Sequence, residues 1–373
     1  MVSDEFSGYW EDIKIKADLL CMGIRANTMA REIFHRQNPS NDFKTGNVGL
    51  HIVLENGSYV LVTASHAFDQ QSPYSLEFHN GEIFLFRGSE IVNRVKEVPM
   101  PNWYVKKTST MIPMASIFLH EGKAFLHQAY AGCDYHYRNL ACRFCGTGSS
   151  WKIGTPLEVG ETVAAAIEEN HKYHVCLGGG TRLPLNRNID YFAECIIHIR
   201  KRNVNVPIWI EMTPPNADDI LKLIELGANS FGFNLEIWND TLRKEICPGK
   251  SDIPKKRYVD ASSEVLDVLG PNRVGSCLII GLEPIESSIE GATILTENGI
   301  QPCILPFKPW DKSFFKNMSP CIPEDLITVS KMAVNSMINN EISPEDNQGC
   351  LLCDGCTIDH DIYKLLINER RQI

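Results

Sequence analysis

The period of apolar and polar positions changes twice along the chain. Residues 26–34 contain no Gly or Pro and carry apolar side chains at helical spacing, so the stretch up to about residue 34 reads as helix. The period then shortens to two. Leu50, Ile52 and Leu54 alternate with smaller or polar neighbours, Asn56-Gly57 makes a tight turn, and Tyr59–Val62 runs back. Asn80-Gly81 divides a second pair, residues 76–78 and 83–86, and Glu121-Gly122 a third, residues 117–119 and 124–126. Asn-Gly between alternating runs is a strong hairpin signal, because a tight two-residue turn needs positive φ at its centre. Residues 1–125 are therefore expected to form a β-rich domain that caps the rest or docks a carrier protein.

From residue 126 the pattern becomes mixed. Helices predicted at 161–171, 191–201, 217–226, 262–269 and 285–298 precede apolar strands at 174–177, 206–212, 230–234, 274–280 and 301–307. Such alternation implies βαβ units on a parallel sheet. The expected class is α/β, with a full or partial (β/α) barrel over 126–312 and a Cys-rich extension over 313–373. Chemistry in such barrels gathers at the C-terminal ends of the strands.

Composition narrows the function. A net charge of −10 argues against a nucleic-acid partner, since phosphate binding needs a basic surface. No N-terminal stretch has a signal-peptide layout and no apolar run is long enough to span a membrane, so a cytoplasmic protein is expected. The 13 cysteines are odd in number and unevenly clustered, which suits metal ligation in a reducing cytosol better than a disulfide scaffold.

Cys133, Cys142 and Cys145 lie close together, with Phe144 just before the last. Three thiolates can hold a cubane iron–sulfur cluster while leaving one iron open to chelate another molecule. A structural zinc is the alternative use of such thiols. The arrangement resembles the radical S-adenosylmethionine (AdoMet) superfamily. The second gap and the aromatic fit that family, whereas the first gap is eight residues in place of the usual three. The resemblance implies a [4Fe-4S] cluster whose open iron binds AdoMet. It also implies anaerobic chemistry, in which an external donor of flavodoxin or ferredoxin type supplies one electron and AdoMet splits to methionine and a 5′-deoxyadenosyl radical.

Further elements fall at predicted strand ends in the family's order, over about residues 126–310. Gly178, Gly179 and Gly180 follow a strand, and the resemblance assigns such a run to the AdoMet amino group. Glu211 ends the next strand, where a carboxylate can accept ribose hydroxyls. Asn234-Leu235-Glu236 and the run from Arg243 to Lys250 are similar to elements of biotin and lipoyl synthases, the polar pair reaching AdoMet or substrate. Ile279 and Gly281 would pack against adenine, with the family's acidic residue displaced to Glu283.

A second thiol group, Cys350, Cys353 and Cys356, suggests an auxiliary iron–sulfur cluster with Cys321 as fourth ligand. Zinc with His360 is the rival. Cys176 and Cys277 fall at places similar to two ligands of the strand-held cluster of biotin synthase, and Cys303 lies on a later strand, which offers a competing position. Against it, Ile208-Trp209-Ile210 has no cysteine, the arginine of that site has no counterpart, and buried strand cysteines commonly serve as small apolar residues. Lys308, Trp310 and Lys312 could hold an anionic or planar substrate or form a solvated rim.

Together these elements predict an enzyme whose radical takes a hydrogen atom from a small-molecule substrate. Sulfur insertion with the auxiliary cluster is the leading outcome, a transferase-type biosynthetic reaction. Radical oxidation or rearrangement, with that cluster as electron acceptor or substrate ligand, is the second. A zinc-stabilised, non-enzymatic binding module is the third.

Overall fold

The computed structural model describes residues 4–37, 49–122, 125–128, 132–147, 153–202 and 205–371. Residue 124 of the third expected hairpin lies outside them. Among the described residues the strands form two sheets. The first is antiparallel, with order β2-β1-β5-β4-β3, from β1 (Leu50–Val53), β2 (Tyr59–Val62), β3 (Tyr74–His79), β4 (Glu82–Arg87) and β5 (Glu90–Glu97). The second has order β12-β11-β10-β9-β8-β7-β6. It contains β6 (Phe118–Glu121), β7 (Phe125–Gln128), β8 (His174–Leu177), β9 (Ile208–Glu211), β10 (Ser230–Gly232), β11 (Val274–Ile280) and β12 (Gln301–Pro306).

The second sheet is parallel from β7 to β12 and curls into half a barrel, with β6 added antiparallel at one edge. The hairpin β6–β7, grouped by sequence with the N-terminal region, thus pairs with the barrel strands. Periodicity fixes a hairpin but not the sheet it joins. Helices Pro156–Glu169, Asn186–Arg200, Ala217–Leu226, Lys255–Leu269 and Ile285–Glu297 connect the strands in the expected order. The first starts one turn earlier than predicted, because Thr155 and Glu158 form a reciprocal capping box with Pro156 in the first turn.

The N-terminal helix is interrupted. It divides into Asp4–Met22 and Thr28–Gln37, with Gly23 at φ 68° between them. A Cβ on Gly23 would collide with Asp69 Oδ1, so the close approach requires glycine there. Helices Pro323–Asn339 and Asp359–Arg371 follow the barrel and pack on each other, and both meet Asp4–Met22. Between them a single turn, Cys350–Cys353, enters the open side of the curled sheet. There a Cβ on Gly349 would collide with Trp209, and one on Gly275 with Leu351. Gly355 O accepts from Leu61 N–H at 2.8 Å, so the same segment also holds β2. No described helix is long and apolar enough to cross a membrane.

Candidate active site

The loop after β7 carries the three cysteines and is pinned on both sides. Asp134 N–H donates to Thr181 O (2.8 Å), and Asp134 Oδ2 accepts from Leu183 N–H (2.7 Å), which ties the loop to the glycine run after β8. On the other side Arg143 N–H donates to Ile246 O (2.8 Å) and Gly249 N–H to Leu140 O (3.0 Å). Gly249 is forced by packing, since a Cβ there would lie 2.6 Å from the Tyr135 ring. The loop is therefore held by backbone bonds contributed by residues 181–183 and 246–249.

A cavity of about 210 Å³ opens at the C-terminal ends of the barrel strands. Cys133, Cys142, Phe144 and Cys145 form one wall, Gly179, Gly180 and Thr181 the next, and Glu211, Asn234, Glu236 and Lys250 the floor. The floor is a connected polar row. Asn234 Nδ2 donates to Glu211 Oε1 (2.9 Å), while Lys250 Nζ reaches Glu236 Oε1 (2.5 Å) and Asn234 O (3.1 Å). Glu236 has φ 69°, a left-handed conformation that an extended strand would not supply. Its main chain bridges β11, with Glu236 N–H donating to Cys277 O and Ile279 N–H to Glu236 O.

Electrostatics in the cavity follow from burial. Burial raises the Cys133 thiol and pushes Cys145 up to about 11. Cys142 is raised well above the usual range by a hydrogen bond with Cys247 and then by burial. Burial also raises Glu211, partly offset by His127. Lys250 keeps its charge despite burial chiefly because the Glu236 carboxylate beside it favours the charged form. Neutral thiols facing a shared space gain a reason to ionise once a cationic metal enters.

Not every expected residue reaches this cavity. Gly178 sits just below it, where a Cβ would be 3.0 Å from Glu211 Cβ and 3.4 Å from Cys176 Sγ. Ile279 is buried outside the lining, and Gly281 packs on Cys321, where a Cβ would stand 3.6 Å from that sulfur. Glu283 is not at the cavity either. Its carboxylate accepts from Trp238 N–H (3.1 Å), Asn239 N–H (2.7 Å) and Ser288 Oγ (3.0 Å). Lys308 is buried beside Trp310, which meets the ring of His66. Lys250, Thr181 and His127 also line the site, and the sequence does not assign them to it. A lone Lys or His in an unpatterned stretch carries no periodicity, so only Lys250, at the end of the Arg243–Lys250 run, has any signal.

Cys350, Cys353 and Cys356 do not sit with Cys321. The Cys321 thiol pairs with Cys21 and donates to Ile322 O (3.4 Å), because its N–H is fixed to Phe307 O after β12. The expected fourth ligand is therefore turned to another neighbourhood. His360 lies 3.8 Å from Glu345 Oε1. Cys350 and Cys353 instead pack on a group formed by Phe125, Cys176, Trp209, Cys303 and Leu351, with Cys277 and Leu305.

A parallel half-barrel with three loop thiols, a glycine turn and a carboxylate floor at its strand ends is the arrangement of an enzyme that binds a cluster and AdoMet together. Residues 131–283 match the Radical SAM superfamily, and the chain carries a radical SAM domain there. The chain is 24% identical, over 360 residues, to bacteriochlorophyllide c C-7(1)-hydroxylase of Chlorobaculum limnaeum, covering 88% of this chain and 85% of that protein. It is similar to the solved structure of HydG, a maturase of the [FeFe]-hydrogenase, with TM-score 0.47 and 16% identity over 65% of this chain and 54% of HydG. It spans about half the length of that protein. Methylornithine synthase (PylB) is similar over 63% of this chain and 69% of its own, with TM-score 0.45 and 16% identity.

The donor set fits the group that this family implies. Three soft thiol donors face one cavity, and the facing wall offers glycine backbone and carboxylates to a zwitterionic, hydroxylated ligand. Cys133, Cys142 and Cys145 would hold the [4Fe-4S] cluster. Gly179, Gly180, Glu211, Asn234 and Glu236 would meet AdoMet.

Proposed function

We propose that this radical AdoMet enzyme functionalises an unactivated C–H bond of a small substrate in the cavity of about 210 Å³. The observation that carries this reading is that Cys133, Cys142 and Cys145 share that cavity with Gly179, Gly180, Glu211, Asn234 and Glu236. With an electron from a flavodoxin- or ferredoxin-type donor, the bound cluster and AdoMet supply a 5′-deoxyadenosyl radical able to take the hydrogen atom.

The residues of the chain do the rest. The glycine turn exposes backbone groups to the charged end of AdoMet. The Glu211–Asn234–Glu236–Lys250 row orients its polar groups and holds charge in a place with little water. Phe144 and Met212 line the same cavity and exclude solvent from a reactive species.

For the outcome at carbon, sulfur insertion with an auxiliary cluster is supported by the number of thiols packed against Cys350 and Cys353 below this cavity. Hydroxylation, an oxidative outcome, is the second reading. It is supported by the relative from Chlorobaculum limnaeum, which matches 88% of the chain. The test is anaerobic incubation with AdoMet and a strong reductant, measuring 5′-deoxyadenosine. Release that vanishes in Cys145→Ala supports the reading; no release from an iron-loaded chain defeats it. A docking role for the N-terminal region toward a carrier protein would show as complex formation with that carrier.

A further inference from the structure

We propose that a cavity of about 520 Å³ at the N-terminal ends of the barrel strands is a second small-molecule site, taking a monoanionic carboxylate with an apolar ring body. It is separate from the AdoMet cavity and independent of the outcome at carbon.

The strands set its place. Phe125 opens β7 and His174 opens β8, so this cavity lies at the end of the sheet opposite to Glu211, which closes β9. The two cavities share no lining residue. A packed layer separates them. Gly349, on the wall of the lower cavity, touches Trp209, and Gly178, just below the upper one, touches Cys176. Cys176 and Trp209 are themselves register partners on β8 and β9. A radical formed above that layer does not meet a molecule below it. The lower cavity therefore binds rather than reacts, and its volume falls in the range of about 300–1,000 Å³ usual for ligand sites.

Charge decides the class of ligand. Lys16 is buried behind the wall and already spent on it. Its Nζ donates to Asp361 Oδ2 (2.7 Å) and Asp354 O (2.7 Å) and lies 3.2 Å from Asp354 Oδ1. Asp361 also accepts from Ser58 Oγ (2.7 Å) and the Tyr9 hydroxyl (3.4 Å). Burial pushes the Asp354 carboxyl up to about 8, so it adds little negative charge at neutral pH. The cations left over are Lys172 and Lys364, which both line the cavity. Among the described residues neither Nζ has a hydrogen bond or an ion pair, although Lys364 acts on both aspartates from farther off. Unpaired ammonium groups beside a neutralised pair make this cavity positive, in a chain whose net charge is −10.

Neutral donors and apolar faces complete the site. His174 Nδ1 accepts from Gly349 N–H (3.2 Å), and burial lowers the imidazole, so the neutral ring carries its hydrogen on Nε2. Asn56 lines the cavity from the β1–β2 turn, and its Nδ2 is buried without a hydrogen-bond partner among the described residues. A carboxylate offers oxygens to these donors and one charge to the lysines, whereas a dianion would meet more repulsion from Asp361. Tyr59, Phe125 and Leu352 give a ring apolar surface to lie against. Such a ligand would touch the N-terminal sheet, the barrel base and the C-terminal segment at once, and binding would fasten the three together.

The test uses the full iron-reconstituted chain with 2-naphthoate as probe, followed by isothermal titration calorimetry. Neutral 2-naphthamide and inorganic phosphate are the comparisons. One 2-naphthoate per chain is expected, with a Kd below about 1 mM, a higher melting temperature, and about tenfold weaker binding of 2-naphthamide. Replacing both Lys172→Ala and Lys364→Ala should weaken 2-naphthoate by about tenfold. Glu211→Gln, in the AdoMet cavity, should leave its affinity unchanged. Leu352→Trp, which fills the lower cavity, provides a second route, and circular dichroism checks that each chain folds. Equal affinity for the acid and the amide overturns the anionic class, and phosphate competing as well as 2-naphthoate overturns the ring. Affinity retained in both the lysine variant and Leu352→Trp overturns the placement, and the absence of binding at about 10 mM defeats the site altogether. The lysine variant should still release 5′-deoxyadenosine, so the main reading is judged separately.

Discussion

Lys250 and Glu236 form an ion pair of 2.5 Å in the floor of the candidate AdoMet site, with both side chains less than one-fifth exposed. Neither stands on a regular strand. Lys250 comes from a one-turn helix, Pro248–Ser251, and Glu236 from a left-handed position after β10. Removing one partner strands the other charge in a poorly hydrated place, which is costlier than removing both. Lys250→Met is expected to lower stability by about 3 kcal/mol and to reduce 5′-deoxyadenosine release at least tenfold. The double variant with Glu236→Gln should recover most of the stability but not the release. Denaturant titration of the single and double variants gives the coupling, and equal losses in the two single variants that simply add would refute it.

The triad thiols carry a sharper expectation. Cys133→Ala, Cys142→Ala and Cys145→Ala should each abolish AdoMet cleavage while the melting temperature of the iron-free chain changes little. Cys247→Ala, which removes only the neighbour of Cys142, should retain cleavage. Activity surviving in any triad variant would contradict the assignment.

Gly249→Ala tests how the loop is held. The new Cβ would meet the Tyr135 ring at 2.6 Å and Leu140 O at 2.8 Å, so the cysteine loop must shift. Iron bound by the triad should fall several-fold even though no thiol is lost. Unchanged iron content, with a normal circular dichroism spectrum, would show that the loop does not depend on this contact.

Glu283 supports structure rather than chemistry. Its carboxylate gathers two backbone N–H groups and the Ser288 hydroxyl in a buried place. Glu283→Ala leaves those donors unsatisfied and should cost about 3 kcal/mol. Cleavage per folded molecule should stay near the wild-type value. Loss of cleavage with stability intact would instead place Glu283 in the reaction.

His51 makes a pH-dependent contribution. Burial pushes its imidazole down to about 4. The unfolded chain protonates this histidine near 6.5, so the unfolded state binds more protons as pH falls. Its favourable contribution is complete above about 6.5 and disappears progressively as pH falls toward 4, a loss of about 3 kcal/mol at most. His51→Gln has no such loss. The stability gap between wild type and variant should therefore narrow from pH 7 to pH 4.5 in urea titrations, and a constant gap would exclude this titration.

Much of the barrel is legible in the sequence because each βα unit pairs an apolar strand with an amphipathic helix. Val274–Ile280 and Ala217–Leu226 show both periods within a few residues. β5 is not, since charged residues at 90, 94, 96 and 97 mask its alternation. The candidate AdoMet residues are carried by short motifs spread from Gly178 to Gly281, and the structure gathers Gly179, Gly180, Glu211, Asn234 and Glu236 around one cavity. Lys250 is visible in the sequence only as the end of the Arg243–Lys250 run; its pairing with Glu236, fourteen residues away, is made by the fold alone. The C-terminal thiols mislead for the same reason. Spacing links Cys350 to Cys353 and Cys356, whereas packing sets it against strands more than 40 residues earlier. Nothing in local spacing turns Cys321 toward Cys21.

The segment from Gly349 to Gly355 has a consequence for how the protein is made. It touches Trp209 and Gly275 inside the half-barrel and bonds to Leu61 of the N-terminal sheet. Until the ribosome has released these residues, the barrel emerges with an open base and the two sheets lack their shared fastening. The cysteine loop after β7 is complete some 200 residues earlier in synthesis. Assembly is therefore ordered in time, with the interior sealed last.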